Sequence, residues 1–149
     1  MKKNFSIFNP LTYDGAYILG LICSDGNLKD NSVEITRNKN AGRVLFHIAR
    51  LIFGKEDVVR EVGNEFVLTI ADKEFAEYVR YSGGISSSRS LIFDLPSPVL
   101  WSFICGYFEG RAGEFKYDYQ YPEIWIASHS HRLLEHIAAY WNVDYKGED

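Results

Sequence analysis

The sequence predicts an α+β fold made of two related units, and three observations support that prediction. Apolar residues at helical spacing alternate along the chain with pairs of short segments in which every second residue is apolar. Two helices of almost entirely apolar composition stand at equivalent places in the two halves. A pattern of the first half also returns in the second, because Arg43-x-Leu45-x-His47-Ile48-Ala49 is repeated as Arg132-x-Leu134-x-His136-Ile137-Ala138. Such similarity is typical of a pseudo-repeat, here an αββαββα unit followed by a partial αββα unit.

The first helix of the chain is predicted to run to Ser24. Thr12 or Asp14 is its expected N-cap, and Gly26 is the residue that ends it. Its side chains are apolar on nearly every face, which is typical of a helix buried on several sides. Residues 27–38 follow as a predicted hairpin that turns at Asp30-Asn31.

Two further helices and a second hairpin complete the first unit, which we assign to residues 1–97. Residues 41–53 carry apolar side chains at helical spacing and end at Gly54. Residues 58–71 are a predicted hairpin with its turn at Gly63-Asn64, a pair that favours a tight connection between strands. Asp72 is the predicted N-cap of a third helix, which continues to Tyr81.

The second unit, residues 98–149, follows a Gly- and Ser-rich connector at residues 82–90 and the element Leu95-Pro96-Ser97-Pro98. It is shorter than the repeat spacing requires, so if residue 149 is the true end of the chain we expect it to expose a strand edge and apolar surface. A protein partner, a symmetry mate or an RNA–protein assembly is expected to cover them. The elements predicted in this unit are an apolar helix, a hairpin and a closing helix, over residues 99–110, 114–127 and 131–141.

Composition excludes several classes of protein. Lys and Arg number 16 against 20 Asp and Glu, so the net charge of −4 does not attract nucleic acid to the chain as a whole. No run of about 18 apolar residues is present, and the N-terminus does not resemble a signal peptide. Cys23 and Cys105 are too few for a disulfide scaffold, and both stand in apolar runs where small core side chains are expected. We expect an intracellular, reducing location and no membrane association.

Two motifs carry a resemblance to a known family. Ile18-Leu19-Gly20-Leu21-Ile22-Cys23-Ser24-Asp25-Gly26 resembles the signature of the LAGLIDADG homing endonucleases. Phe103-Ile104-Cys105-Gly106-Tyr107-Phe108-Glu109-Gly110 is similar to the second copy in two-motif members, in which a Leu-Pro element such as Leu95-Pro96 precedes it. The resemblance covers most of the chain. It implies motif helices packed at a pseudo-twofold axis and flanking hairpins that form a saddle on DNA.

Small residues at a spacing of four explain physically how such helices can pack closely. Gly20 and Ser24 lie on one face of the first motif helix, as Gly106 and Gly110 do on the second. We expect these four residues to form the helix interface. The C-terminal ends of the two helices then lie side by side.

The resemblance also implies that an acidic residue at each helix end holds a divalent metal ion over the scissile phosphates. Asp25 occupies the first of these positions, but Arg111 occupies the second. A guanidinium repels cations, so a symmetric pair of Mg²⁺ sites is not expected. Glu109 or Glu114 could replace the missing carboxylate only if the backbone after Gly110 departs from the usual turn.

The cations that the saddle would offer to phosphates are Lys29, Arg37, Lys39, Arg60 and Lys116. Acidic residues balance the basic ones over residues 27–40 and 58–71 taken together, and they outnumber them over residues 114–126. Nonspecific affinity for a duplex comes mainly from cations that displace counterions. The sequence therefore predicts weak electrostatic attraction to nucleic acid.

Other chemistry-bearing groups admit ordinary explanations. His129 and His131 lie where a helix begins, without a Cys near them in sequence, and are expected to be surface residues rather than metal ligands. Aromatic residues alternate along the second hairpin. They are suited to stacking on bases, to anchoring a protein or to a half-buried sheet face: Tyr117, Tyr119, Tyr121 and Trp125.

Three functions remain open at this point. The leading one is a degenerate LAGLIDADG-type protein without double-strand cleavage, retained as a DNA- or RNA-binding or structural component, for instance of a ribonucleoprotein. The second is an active intron- or intein-type DNA endonuclease with Mg²⁺ at Asp25. The third is a protein-interaction module. Mg²⁺ is expected only for the active enzyme.

Overall fold

The computed structural model describes residues 2–82 and 97–111, apart from the side chains of residues 81, 82, 97 and 111. The strands within these ranges form one antiparallel sheet in the order β1-β2-β4-β3. This architecture confirms the predicted α+β class. The elements are α1 (Tyr13–Asp25), β1 (Gly26–Leu28), β2 (Ser32–Asn38), α2 (Arg43–Phe53), β3 (Arg60–Val62), β4 (Glu65–Ala71), α3 (Lys73–Ser82) and α4 (Ser97–Arg111).

Part of the predicted second unit lies outside the described residues. This applies to the connector after residue 82, to Leu95-Pro96, and to the hairpin and helix predicted over residues 114–127 and 131–141. The division into units 1–97 and 98–149, the edge expected in the second unit and its covering partner therefore remain predictions. The same holds for the remaining side chains predicted there, which are Glu114, Lys116, Tyr117, Tyr119, Tyr121, Trp125, His129 and His131.

Helix α1 begins and ends where local chemistry requires. The Thr12 hydroxyl oxygen accepts a hydrogen bond from the Gly15 amide at 3.1 Å, so Thr12 is the N-cap and Asp14 lies in the first turn. The Gly26 amide donates to the Ile22 carbonyl and closes the last turn. Most α1 side chains are buried, as the apolar composition predicted. Every described helix is too short or too polar to cross a membrane.

The register of the central strand pair assigns each residue to one face of the sheet. Val33 of β2 lies opposite Ile70 of β4, and Ile35 lies opposite Leu68. All four are fully buried beneath the helices. Because successive side chains of a strand point to opposite faces, the intervening residues lie on the other face. We call this the open face, formed by Asn27, Ser32, Glu34, Thr36, Asn38, Arg60, Val62, Glu65, Val67, Thr69 and Ala71.

The hydrophobic core lies between the helix-covered face of the sheet and the four described helices. Helix α2 buries one stripe of side chains at helical spacing. Helix α3 begins at the predicted N-cap, because the Asp72 carboxylate accepts from the Phe75 amide at 2.9 Å. Helix α2 starts two residues later than predicted, since the Ala41 amide closes a turn back to the Asn38 carbonyl. The largest buried side chains of α4 are Phe103, Ile104 and Tyr107.

Candidate functional site

Helices α1 and α4 pack directly against each other, backbone to backbone. A Cβ built on Gly20 would overlap the Phe103 carbonyl oxygen and lie 2.9 Å from the Tyr107 amide nitrogen. A Cβ on Gly106 would overlap the Tyr17 carbonyl oxygen in the same way. Real Cβ atoms do not approach backbone so closely, so glycine is required at both positions.

The contact continues to the C-terminal ends of the two helices. A Cβ on Gly110 would overlap the Ser24 hydroxyl oxygen and lie 2.9 Å from the Asp25 Cβ. Ser24 is itself buried, and its hydroxyl donates to the Leu21 carbonyl at 3.1 Å. Because later residues of α1 meet later residues of α4, the helices run in the same direction. The structure thus places all four residues predicted for the helix interface in contact, namely Gly20, Ser24, Gly106 and Gly110.

This packing sets Asp25, the last residue of α1, beside the last turn of α4. Arg111 is the final residue of α4, and its side chain lies outside the described part. Glu109 precedes it by two positions and is exposed. The two helix ends that the resemblance singled out are therefore adjacent.

A third side chain reaches the two adjacent helix ends from the sheet. Arg37 lies in β2 on the same face as Val33 and Ile35, so it projects towards the helices. Its Nη1 donates to Asp25 Oδ2 at 3.3 Å. Its Nη2 donates to the Glu109 carbonyl at 3.2 Å and lies 3.6 Å from Glu109 Oε1. We call Asp25, Arg37 and Glu109 the helix-end cluster.

Burial distinguishes Arg37 from an ordinary surface cation. Its side chain is 9% exposed, against 34% for Asp25 and 46% for Glu109. The Nε of Arg37 also donates to the Ala41 carbonyl at 2.9 Å, which fixes the side chain along the turn after β2. The guanidinium is thus held between β2, α1 and α4.

The helix-end cluster does not fit a divalent metal ion. The guanidinium lies between the carboxylates of Asp25 and Glu109, where a metal ion would have to bind both. Over residues 2–82 and 97–111, no three His, Cys, Asp or Glu side chains stand close enough together to hold a metal. Metal coordination by Asp25 therefore remains a prediction of the resemblance alone.

The structure separates the described cations that were predicted to contact nucleic acid. Arg37 is committed to the helix-end cluster, and Lys39 pairs with Glu61 and lies 5.8 Å from the centre of the Phe66 ring. Arg60 instead belongs to the open face, and Lys29 pairs with Glu34 of that face. Nucleic-acid contact by any of these residues, and by Lys116 outside the described part, remains a prediction.

The open face carries a chain of polar contacts across three strands. Arg60 of β3 donates to the Thr69 hydroxyl of β4 at 3.4 Å, and that hydroxyl donates to Glu34 Oε2 of β2 at 3.4 Å. Lys29, in the turn after β1, pairs with the same carboxylate oxygen at 3.5 Å. Val67 is buried in this face but lies outside the core cluster. The polar groups in these contacts give the open face both hydrogen-bond donors and hydrogen-bond acceptors.

Three groups next to the helix interface resist ionisation. Burial raises the pKa of the Tyr17 hydroxyl; the negative charge of Glu109 adds to this effect, and the positive charge of Arg37 opposes it. Burial also raises the pKa of the Cys23 thiol and, less strongly, that of Cys105. The described thiols thus remain protonated at neutral pH, which fits packing residues rather than nucleophiles.

Sequence reasoning found the glycine contacts and Asp25 but missed the position of Arg37. The sequence did contain a signal for this position, because Val33, Ile35 and Arg37 are alternate residues of β2 and therefore lie on one face of the sheet. An arginine at the end of a buried strand face must find acceptors inside the protein or reach past its edge. Which acceptors it finds depends on α4, which follows much later in the chain.

Comparison with known proteins agrees with this architecture. No protein-family model matches the sequence, and no curated protein matches it. A solved structure of I-DmoI, a LAGLIDADG homing endonuclease, in complex with DNA and Mn matches with a TM-score of 0.58 and 17% sequence identity. The match covers 85% of this chain and 75% of that chain. At this identity the likeness concerns the fold, and the chain has a LAGLIDADG-like fold.

Proposed function

We propose that this chain binds a nucleic-acid duplex on the open face of its sheet and does not cut both strands, as a degenerate LAGLIDADG-type protein. The observation that carries the proposal is the polar chain of Arg60, Thr69, Glu34 and Lys29 on a face that no described helix covers. The neighbour in fold, I-DmoI, was solved in complex with DNA. That neighbour favours DNA over RNA as the duplex.

The composition of the open face suits contact with base edges better than contact with phosphates. Hydroxyl, amide, carboxylate and guanidinium groups predominate there over a few small apolar ones, and together they can both donate and accept hydrogen bonds. A pair of antiparallel strands fits within the major groove of B-DNA. Acidic Glu34 and Glu65 balance the charges of Lys29 and Arg60, so affinity for phosphate is low.

Two features support the absence of double-strand cleavage. Asp25, the carboxylate at the first metal position of the resemblance, forms an ion pair with Arg37. Arg111 stands where the resemblance expects the second carboxylate. Without a carboxylate pair free to hold metal ions, neither phosphate of a duplex is activated for attack.

The binding test is a selection of tight-binding duplexes from a randomised DNA library, followed by affinity measurement at several salt concentrations. Arg60→Gln and Thr69→Val are expected to weaken binding to the selected duplex and to relax its sequence preference. Lys73→Gln is the matched control, because it removes a charge from an exposed position on α3. Equal losses for Arg60→Gln and Lys73→Gln would show that the open face is not the binding surface.

Two further measurements separate the competing functions. Cleavage of the selected duplex with Mg²⁺, abolished by Asp25→Asn, would establish an active endonuclease and refute the proposal. Binding to structured RNA that exceeds binding to every duplex DNA would move the protein to a ribonucleoprotein role. Failure to enrich any nucleic acid would leave protein interaction as the function.

A further inference from the structure

Oxygen atoms surround the Arg37 guanidinium. Its partners in the described part of the chain are Asp25 Oδ2, Glu109 Oε1, the Glu109 carbonyl and the Ala41 carbonyl. Carboxylate and carbonyl oxygens are also the ligands that hard divalent cations prefer. The oxygen atoms of the helix-end cluster are therefore suited to a cation, and the Arg37 side chain supplies that cation.

The helix ends add to the attraction. Glu109 belongs to the last turn of α4, where carbonyl groups lack partners within the helix and carry partial negative charge. Arg37 Nη2 donates to one of these carbonyls. The same positive charge lies against Asp25 at the end of α1. One guanidinium thus offsets part of the negative charge at the C-terminal ends of both helices.

We propose that Arg37 is the resident cation of the helix-end cluster and replaces the divalent metal ion that a LAGLIDADG-like fold implies. Arg37 is a positioning residue: it joins β2 to α1 and α4, and it keeps the acidic helix ends together without any metal. A divalent ion has no access to both carboxylates while the guanidinium is present.

Electrostatic attraction explains why a guanidinium can take the place of a metal ion between the two helix ends. Asp25 and Glu109 would repel each other at the closely packed helix ends if no cation lay between them. Arg37 forms an ion pair with each, and its low exposure limits the access of water to the guanidinium side of these contacts. Mg²⁺ holds its hydration water strongly and would gain little by displacing a guanidinium already in place.

This inference does not rest on the proposed function, because it concerns the helix-end cluster and its test contains no nucleic acid. Loss of nucleic-acid binding would leave it unchanged. Detection of a metal site that depends on Asp25 in the wild-type protein would overturn it even if the open face binds DNA.

The experiment measures Mn²⁺ binding by electron paramagnetic resonance, in which the signal of the free hydrated ion disappears on binding. Wild type and Asp25→Asn are expected to bind Mn²⁺ equally, since Asp25 is not available to metal. Arg37→Met is expected to bind Mn²⁺ roughly tenfold more tightly than wild type, a usual coupling between two ligands that compete for one place. The double variant Arg37→Met/Asp25→Asn is expected to return to the wild-type affinity.

Two controls make each outcome decisive. Lys39→Met removes the cation of a different ion pair and is expected to leave Mn²⁺ binding unchanged. Arg37→Lys keeps a positive charge and is expected to resemble wild type. The proposal is overturned if Asp25→Asn weakens Mn²⁺ binding by the wild-type protein, or if folded Arg37→Met gains no Asp25-dependent site. The comparison of wild type with Asp25→Asn decides the matter if Arg37→Met does not fold.

Discussion

Gly106 of α4 lies so close to Tyr17 of α1 that a methyl group on Gly106 would occupy the space of the Tyr17 carbonyl oxygen. The contact joins two backbones, so no side-chain rotation can relieve it. The whole of one helix would have to move away from the other. The tolerance of this interface to substitution is therefore set by the distance between the helix axes.

Gly106→Ala is expected to destabilise the protein by about 3 kcal/mol or more, because it overpacks a backbone contact in the core. This change in stability is opposite in sign to the effect of Gly→Ala in an exposed helix, where the substitution stabilises by about 1 kcal/mol. The measurement is denaturant unfolding followed by circular dichroism. Gly63→Asn, in a turn with φ of 60° and open space around it, is the control and should cost less than about 1 kcal/mol. Equal losses would contradict the packing argument.

Arg37→Met is expected to lower the free energy of unfolding by about 1–3 kcal/mol. This lies between the values for exposed and buried ion pairs, since Arg37 is buried but Asp25 and Glu109 are partly exposed. Lys39→Met, which breaks the more exposed pair with Glu61, should cost less than about 1 kcal/mol. Thermal and denaturant unfolding of both variants would test the order.

Asp72→Ala is expected to destabilise the protein by about 1 kcal/mol, because it removes the N-cap of α3. Asp72→Asn retains an oxygen that can accept from the Phe75 amide and should lose only a fraction of this. Urea unfolding of the pair would show whether the hydrogen bond or the charge matters. A larger loss for Asn than for Ala would refute the capping role.

Alkaline pH is expected to destabilise the protein through Cys23 and Tyr17. Their folded pKa values lie above the ordinary values of 9.0 and 10.0, so the folded state favours the protonated forms. This contribution is complete below the ordinary values and is lost as pH rises through the folded values, with a slope of up to about 1.4 kcal/mol per pH unit per group. Urea unfolding between pH 8 and pH 11, in wild type and Cys23→Ala, measures it. The two free energies should converge as pH rises, and parallel curves would contradict the assignment.

The salt dependence of duplex binding provides a further prediction. Arg60 on the open face and Lys29 beside it are the cations that this surface offers within the described chain, so they contribute at most about 2 to the slope of log K against log salt concentration. Arg60→Gln should reduce the slope by about 1 if that side chain contacts a phosphate. A lower affinity with an unchanged slope would instead indicate that Arg60 contacts a base.

The helix and strand boundaries could be predicted because the signals that set them are local. Thr12 and Asp72 cap helices through hydrogen bonds to residues three positions away. Gly54 ends α2 with φ of 73°, a conformation that glycine adopts readily. The start of α2 was predicted two residues too early, because the turn at residues 38–42 competes with the first helical turn.

The helix interface could be predicted from the spacing of small residues, whereas the helix-end cluster could not. The Arg37 contact with Glu109 spans 72 residues of sequence, and no local pattern indicates it. Charge type alone suggested that Arg37 would face phosphates. The alternation of side chains along β2 instead predicts that Arg37 points towards the helices, as Val33 and Ile35 do.

Asp25 ends α1 and Gly26 begins β1, so the chain passes from helix to strand without a connecting loop. Any tilt of α1 against α4 is transmitted immediately to the edge of the sheet and alters its curvature. Substitutions at the glycine contacts should therefore reshape a distant surface that they never touch. For an engineer, the helix pair is the place from which the fit of that surface to a curved ligand can be adjusted.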